Sequence, residues 1–380
     1  MTQELGAVFE AEGAPVWRLR LSIRTLHPLI AAKSTIWQKN TGETQKITAA
    51  HGLEKRPSYT GSPLLIINET LAPFRKQLED ELTDSDHLVL HEIKAEGGTD
   101  YYGLPLLFSD DKTASVIFTT ERLGGFVERD LRHFRWIADV LAPVVEVYKQ
   151  REMAVAIADA YLGQRTGQLV LNGNIIRGDV QTLDAAIMIS DIRNWTGLSK
   201  NLAAGEMINL ANAYFDVIVK AVEDHGGEIL KFIGDGVLAI FPVNDDVSDR
   251  NACQNALQAA HAALAAQTVI ETASDLDGPK KEDGRATDVS FGIGLHFGQV
   301  LYGNVGSSAR LDFTVLGRAI NLAARIESLC ASLERTVLIS ASINDRLDEP
   351  GTLITEQRLK GFDNPVAIFA PPASQTALTL

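Results

Sequence analysis

Apolar positions recur along this chain with two periods, and the places where the period changes divide it. Up to about residue 125, short helical and strand-like patterns alternate. The spacing predicts a helix over Val16–Leu26, a strand pair at Ser34–Lys39 and Gln45–Ala50, and helices over Ala72–Leu82 and His87–Ala95, the last stopped by Gly97-Gly98. Two strand-like runs follow, Tyr101–Phe108 and Ala114–Thr120, joined by Ser109-Asp110-Asp111-Lys112, which is hairpin-turn chemistry. From Phe126 the pattern turns helical, with Leu131, Phe134, Ile137, Leu141, Val144 and Val147 at spacings of three and four and a weaker continuation through Met153, Ile157 and Tyr161. Pro143 is expected to kink or divide this helix. So long a helix suits either the last core element of a first domain or a connector that pairs with its own copy.

Beyond a turn-rich stretch, Gly163–Asp179, the grammar changes. Ala185–Ile192 reads as a strand, and Met207, Leu210, Tyr214, Ile218 and Ala221 mark one face of an amphipathic helix. Glu228–Phe232 and Gly236–Phe241 flank a tight turn at Ile233-Gly234-Asp235. A helix over Arg250–Glu271, a polar loop Asp275–Asp288, strands Val289–Phe297 and Gln299–Gly306, helix Arg318–Leu329, strand Thr336–Ile339 and a strand pair near Ile354–Phe369 complete the reading. The order β-α-β-β-α-β is the split βαβ arrangement, so the fold class is α+β. The divisions expected are 1–125, 126–165 and 166–375.

Composition narrows the function classes. The 380 residues carry a net charge of −14, with 21 acids and 17 bases up to residue 150 and 28 and 18 after it. Neither part has the positive footprint of a nucleic-acid binder. The two cysteines, Cys253 and Cys330, form no CxxC and indicate neither a disulfide framework nor a zinc site. Acids at the N-terminus, with no apolar run after them, do not read as a secretory signal. The two long uncharged stretches, Asn251–Ile270 and Val289–Gly306, are too polar or too glycine-rich to span a membrane. A cytoplasmic protein without membrane or nucleic-acid partners is the expectation. His27, His87 and His91 lack any supporting haem or metal motif and are read as surface or packed histidines.

Candidate chemistry clusters in the second part. Asp191 closes the apolar run Ile187–Ser190, and Asp235 sits in the Gly234-Asp235-Gly236 turn. Alone, each is ordinary turn or cap chemistry; together, on adjacent strands, they could converge on one hard cation. Lys231, inside an apolar strand, needs solvent or a partner acceptor. Asn321 and Arg325 stand four apart, on one helix face with Arg318, as either a solvated surface or a group suited to phosphate and ribose oxygens. Glycines 292, 294, 298, 303 and 306 form neither a P-loop nor a Rossmann fingerprint, and read as close strand packing that leaves room for a planar ligand.

Four motifs in order carry a resemblance: Asp191-Ile192-Arg193-x-x-Thr196, Lys231-Phe232-Ile233-Gly234-Asp235-Gly236, Gly292-Ile293-Gly294-Leu295-His296-x-Gly298 and Phe313-Thr314-Val315-Leu316-Gly317-x-x-x-Asn321-Leu322-Ala323-Ala324-Arg325. From about Asp179 to Ala370 the chain resembles the catalytic domain of class III nucleotidyl cyclases, a ferredoxin-like fold. The resemblance implies that Asp191 and Asp235, with the carbonyl of Ile192, hold two Mg²⁺ or Mn²⁺ ions per active site. It implies attack of a ribose 3′-hydroxyl on the α-phosphorus, giving a cyclic 3′,5′-monophosphate and pyrophosphate. Arg325 would neutralise charge at the α-phosphate, Asn321 would orient the ribose, and Lys360 would grip the outer phosphates. Lys231 and Thr314 fall where family members select the purine, and this pair resembles adenylate cyclases, so ATP is the implied substrate. A guanylate or mixed-specificity cyclase and a non-catalytic nucleotide-binding module are the alternatives. All positions lie in one chain, which implies a head-to-tail homodimer with shared sites. Asn194-Trp195 and Arg318 depart from the family pattern, and Trp195 is placed to reshape the entrance beside the metal site. The segment Tyr101–Asp130 resembles the end of a GAF domain, which implies a regulatory N-terminal region with a small-molecule ligand, joined by a long helix to the cyclase.

Overall fold

A computed structural model of the chain describes residues 1–110, 112–200, 202–267 and 290–373. It divides into two units, Met1–Tyr161 and Leu162–Leu380.

The first unit is built on a six-stranded antiparallel sheet of order β3-β2-β1-β6-β5-β4. Its strands are β1 (Arg18–Arg24), β2 (Ile30–Gln38), β3 (Thr44–Ala50), β4 (Phe74–Gln77), β5 (Asp100–Leu107) and β6 (Thr113–Thr120). The helices are α1 (Thr2–Ala11), α2 (Pro63–Thr70), α3 (Leu88–Ala95) and α4 (Glu128–Leu162). Two helical expectations are overturned. Val16–Leu26 contains β1, because Leu19, Leu21 and Ile23 alternate with Arg18, Arg20 and Ser22, a period of two that a helix cannot keep on one face. Ala72–Leu82 contains the short strand β4, paired antiparallel with β5. The hairpin β5–β6 and helix α3 lie as expected, with His87 capping α3 through Nδ1, which accepts from the Val89 N–H at 3.2 Å.

Helix α4 runs unbroken through Pro143 for 35 residues. Its buried face is Leu131, Phe134, Ala138, Ala142 and Val145, not Val144 and Val147. Alanines keep the buried stripe on the helical period, and the larger valines drift off it to the exposed side. Phe134 stacks on Phe118 of β6 at 4.2 Å between ring centroids.

The second unit contains β7 (Val180–Ile192), β8 (Glu228–Ile233), β9 (Gly236–Pro242), β10 (Phe291–Gly306), β11 (Leu311–Leu316), β12 (Val337–Ser340), β13 (Thr352–Arg358) and β14 (Pro365–Ala370). The sheet order is β13-β14-β12-β10-β7-β9-β8, with β11 paired to β10. The four strands β10-β7-β9-β8, with α7 (Ala204–Asp224) and α8 (Asp249–Ala265) as crossovers, form the expected split βαβ core. The two strands expected at 289–306 are one continuous strand, β10, antiparallel to β7 from Phe291 to Gly303. Helix α8 stops short of Glu271; the predicted loop Asp275–Asp288 lies outside the described residues. Part of the turn-rich stretch after α4 is helical: α5 (Gln164–Leu171).

Alternation along β7 decides what each face does. Ala186 and Met188 join the core under α7 and α8, whereas Ala185 and Ile187 face the opposite side, with Leu238, Val300, Tyr302 and Ala323. Ser190, one position before the strand's functional end, accepts from the Tyr214 hydroxyl of α7 at 2.8 Å. The carboxylate of Glu228, at the start of β8, is buried; it accepts from Thr166 Oγ1 of α5 at 2.7 Å and from the Tyr302 hydroxyl at 3.1 and 3.2 Å. Trp195 opens the short helix α6 (Trp195–Leu198) and packs partly buried against the core under α7 and α8.

Candidate active site

The ends of β7 and β8 meet at two carboxylates. Asp191 is the penultimate residue of β7 and pairs in register with Gly236, the residue after Asp235. The β8–β9 turn closes on Gly234, whose φ of +64° is the left-handed conformation that favours glycine. At Gly236 an added Cβ would stand 3.1 Å from the Ser190 carbonyl and 3.3 Å from Asp191 Oδ1, so a bare backbone lets the turn close against β7. Burial and a hydrogen bond to the Asp235 carboxyl push the Asp191 pKa up to about 7, although the Ile192 N–H donates to it. Neither carboxylate makes an ion pair among the described residues.

A third acid joins them that the sequence reading missed. Glu327 lies on α9 (Arg318–Ser332); burial and the nearby Asp235 charge raise it to about 7, against an opposing pull from Arg193. The glycines of β10 let α9 bring it there. Added Cβ atoms on Gly292 and Gly294 would stand 2.8 Å from Glu327 Oε1 and 2.4 Å from its backbone nitrogen. These glycines admit helix α9, which corrects the expectation that they leave room for a planar ligand. Arg193 fastens the same corner, donating to the carbonyls of Cys330 and Arg335.

One purine-selecting candidate is tied to the strand that carries the other, although β8 and β11 are not paired in the sheet. Lys231 on β8 donates to the carboxylate of Asp312 on β11, which answers the need for a partner acceptor. Thr314 is buried two residues further along β11, on the same face as Asp312. Asp312 is the second residue missed; nothing in its local pattern separates it from a solvated strand acid.

Asn321 and Arg325 are exposed on α9, and among the described residues neither side chain has a hydrogen bond or ion pair. Among the described residues no side-chain hydrogen bond or ion pair brings them to the carboxylates of their own chain. Lys360 is exposed in the loop between β13 and β14, followed by Gly361 at φ +89°. Next to it, Phe362 lies under the Arg318 guanidinium at 5.6 Å, giving that departure from the family pattern a partner at the start of α9.

The donor set fits a hard divalent cation. Two carboxylates and a strand-end carbonyl are oxygen donors, and among the described residues no cation is ion-paired to them. Among the described residues no group of three or more His, Cys, Asp or Glu side chains is arranged to hold a metal, so remaining ligands would come from backbone, water or substrate. His27, His87 and His91 each make a local backbone hydrogen bond instead.

Residues 180–362 match the family model described as adenylate and guanylate cyclase catalytic domain. An adenylate cyclase of Anabaena cylindrica is 33% identical over 201 residues, 52% of this chain and 38% of that protein. The terminal-differentiation specific adenylate cyclase of Dictyostelium discoideum is also 33% identical over 201 residues, which is 9% of its length. The chain thus spans well under half of these relatives. A bacterial light-regulated adenylyl cyclase shares the fold at a TM-score of 0.51 and 20% identity, covering 71% of this chain and 85% of that one. The C-terminal part of the chain carries a class III adenylate/guanylate cyclase catalytic domain.

Proposed function

We propose that this protein is an adenylate cyclase that converts ATP to 3′,5′-cyclic AMP and pyrophosphate at sites shared by two copies of the chain. The observation that carries the reading is the Asp191–Asp235 pair, two adjoining carboxylates with no ion-paired cation among the described residues. Divalent metal ions, when bound, would activate the 3′-hydroxyl and neutralise the triphosphate. Asp191, Asp235 and the Ile192 carbonyl would hold them. Lys231 would donate to adenine N1, and the Thr314 hydroxyl would accept from the 6-amino group. Guanine presents an N1–H to Lys231, a donor against a donor. Arg325 would meet the negative charge that grows at the α-phosphate, Asn321 the ribose and Lys360 the outer phosphates.

Two features support the dimer. Among the described residues Asn321 and Arg325 make no side-chain hydrogen bond or ion pair, as residues serving a partner's site should. Along α4, Trp136, Val140, Val144 and Val147 form an apolar stripe between 50% and 67% exposed, which suits pairing with a second α4. The first unit, an antiparallel sheet roofed by helices, is read as a GAF-like regulatory domain.

Asp312 favours a second reading. Released from Lys231, its carboxylate could accept from guanine N1–H and the 2-amino group, which gives a mixed-specificity cyclase. Product analysis with ATP and GTP, each with Mg²⁺ or Mn²⁺, tests both. Cyclic AMP alone supports the first reading, both products support the second, and nucleotide binding without turnover in saturating Mn²⁺ refutes catalysis.

A further inference from the structure

The sheet of the first unit has two unlike faces. Leu19 and Leu21 of β1 enter the core with Phe118 and Phe134. Their alternates Arg18, Arg20 and Ser22 lie on the other face. That face is not open to solvent as a polar sheet face usually is. It floors a cavity of about 720 Å³, roofed by residues around Leu53–Leu64 and the start of α3, a volume within the range of small-molecule sites.

Arg20 is the polar group on that floor that the chain leaves incomplete. Its Nη2 donates to Ser34 Oγ at 3.0 Å, and Ser34 in turn shares a 2.8 Å hydrogen bond with Ser22. Its Nε is buried and has no hydrogen-bond partner. No carboxylate pairs with it among the described residues; Arg18, its neighbour on the face, is taken by Glu96. Burial pulls the Arg20 pKa below the usual guanidinium value; the phenol of Tyr101 opposes that pull, the Arg18 charge adds to it, and no carboxylate takes part. Glu92, the one acid lining the cavity, is exposed and exerts no such pull. Tyr101, 4% exposed, lines the same cavity, and its hydroxyl makes no hydrogen bond among the described residues. A half-buried guanidinium whose Nε is buried and unpartnered is costly, and the cost is reduced when an anion completes it.

We propose that this cavity binds a small organic carboxylate, its anionic end on Arg20, Ser34 and Tyr101, and its apolar body against Leu64, Ile93 and Ile117. One guanidinium with adjacent hydroxyls matches a singly charged, two-oxygen acceptor. A phosphate dianion would call for a second cation beside Arg20; Arg18 is already paired with Glu96, and Arg56, the other arginine lining the cavity, is exposed. The apolar wall selects against small, fully hydrated acids. The inference deepens the regulatory part of the proposed function and rests on that reading only for any effect on turnover; binding stands without it.

The test is calorimetric titration of the full chain with benzoate, phenylacetate and hexanoate, with benzamide and inorganic phosphate as contrasts. Saturable binding of at least one carboxylate is expected, with benzamide not binding. Losing a charge-assisted contact in Arg20→Met should weaken that binding roughly 10- to 100-fold. In the absence of ligand, Arg20→Met should melt no lower than the parent, because it removes an unpaired buried charge. Where Arg20→Met does not fold, Tyr101→Phe and Arg20→Lys make the same comparison. The proposal is overturned by no saturable binding of any of the three acids. It is also overturned by equal binding of benzamide, by binding of phosphate alone, or by unchanged affinity in the folded variants. Cyclic-nucleotide production is measured separately, so a failure of catalysis and a failure of binding are told apart.

Discussion

Lys231 of β8 is ion-paired to Asp312 of β11, so the lysine assigned to the purine is held in place before any nucleotide arrives. Both side chains are about 40% exposed (38% and 41%), so the pair is worth little to stability and matters for position. Asp312→Ala should leave the fold intact and lower kcat/KM for ATP about tenfold, the cost of a freed lysine. Asp312→Asn keeps an acceptor for Lys231 but removes the charge available to guanine, and should raise the ATP-over-GTP preference. An unchanged preference in steady-state assays of both substrates would remove Asp312 from base selection.

Asp235→Ala should lower turnover roughly 10³-fold or more, as loss of a principal electrostatic element does. Melting curves verify the fold of the variant. Activity like that of the parent would end the metal assignment.

The raised pKa of Asp191 gives a pH signature. With its folded value near 7 and its unfolded value at 3.8, the folded chain binds the extra proton between the two. Stability is therefore greatest at the acid end and falls as pH rises through that window, until the group is ionised in both states. Glu327 acts in the same direction. In chelator, the melting temperature should drop between about pH 5 and pH 8. Asp235→Asn should flatten that slope, and Mg²⁺ should offset it by favouring the ionised form. Equal slopes in all three samples would contradict the account.

Mixing Asp191→Ala with Arg325→Ala tests sharing between chains. Each variant alone is expected to be inactive. Random reassociation makes half of the dimers mixed, each with one intact site of two, so about a quarter of parental activity should return. No recovery in a verified heterodimer would place Arg325 and Asp191 in one chain's site.

Gly294→Ala probes the seat of α9. Its Cβ would stand 2.4 Å from the Glu327 nitrogen and 2.7 Å from the Ala323 carbonyl, both backbone atoms that cannot swing away. A loss of about 1–3 kcal/mol in denaturant unfolding is expected, together with loss of turnover. A neutral result would mean that α9 is not packed on β10 as described.

How much of this was legible beforehand followed from how local the signal was. The β7 run, the Gly234-Asp235-Gly236 turn and the Asn321–Arg325 spacing are written within single elements, and the structure places each element where the pattern puts it. Glu327 and Asp312 were invisible because their partners are 92 and 81 residues away (327 − 235 and 312 − 231), and nothing in either local pattern names them. β1 was misread for a different reason. Its arginines occupy a roofed face, where the usual rule of apolar inward and polar outward does not hold, and the strict alternation was given too little weight. On α4 the buried stripe runs through alanines, which a search for large apolar residues passes over.

The buried carboxylate of Glu228 ties helix α5 to the start of β8. While α5 is docked, Thr166 and Tyr302 satisfy that carboxylate; lifting α5 removes the Thr166 donor and leaves a low-dielectric acid underserved. Glu228 sits three residues before Lys231 and seven before Asp235 on a single stretch of chain (231 − 228 and 235 − 228). The docking of α5 is thereby anchored on the same strand that carries Lys231 and leads into the Asp235 turn.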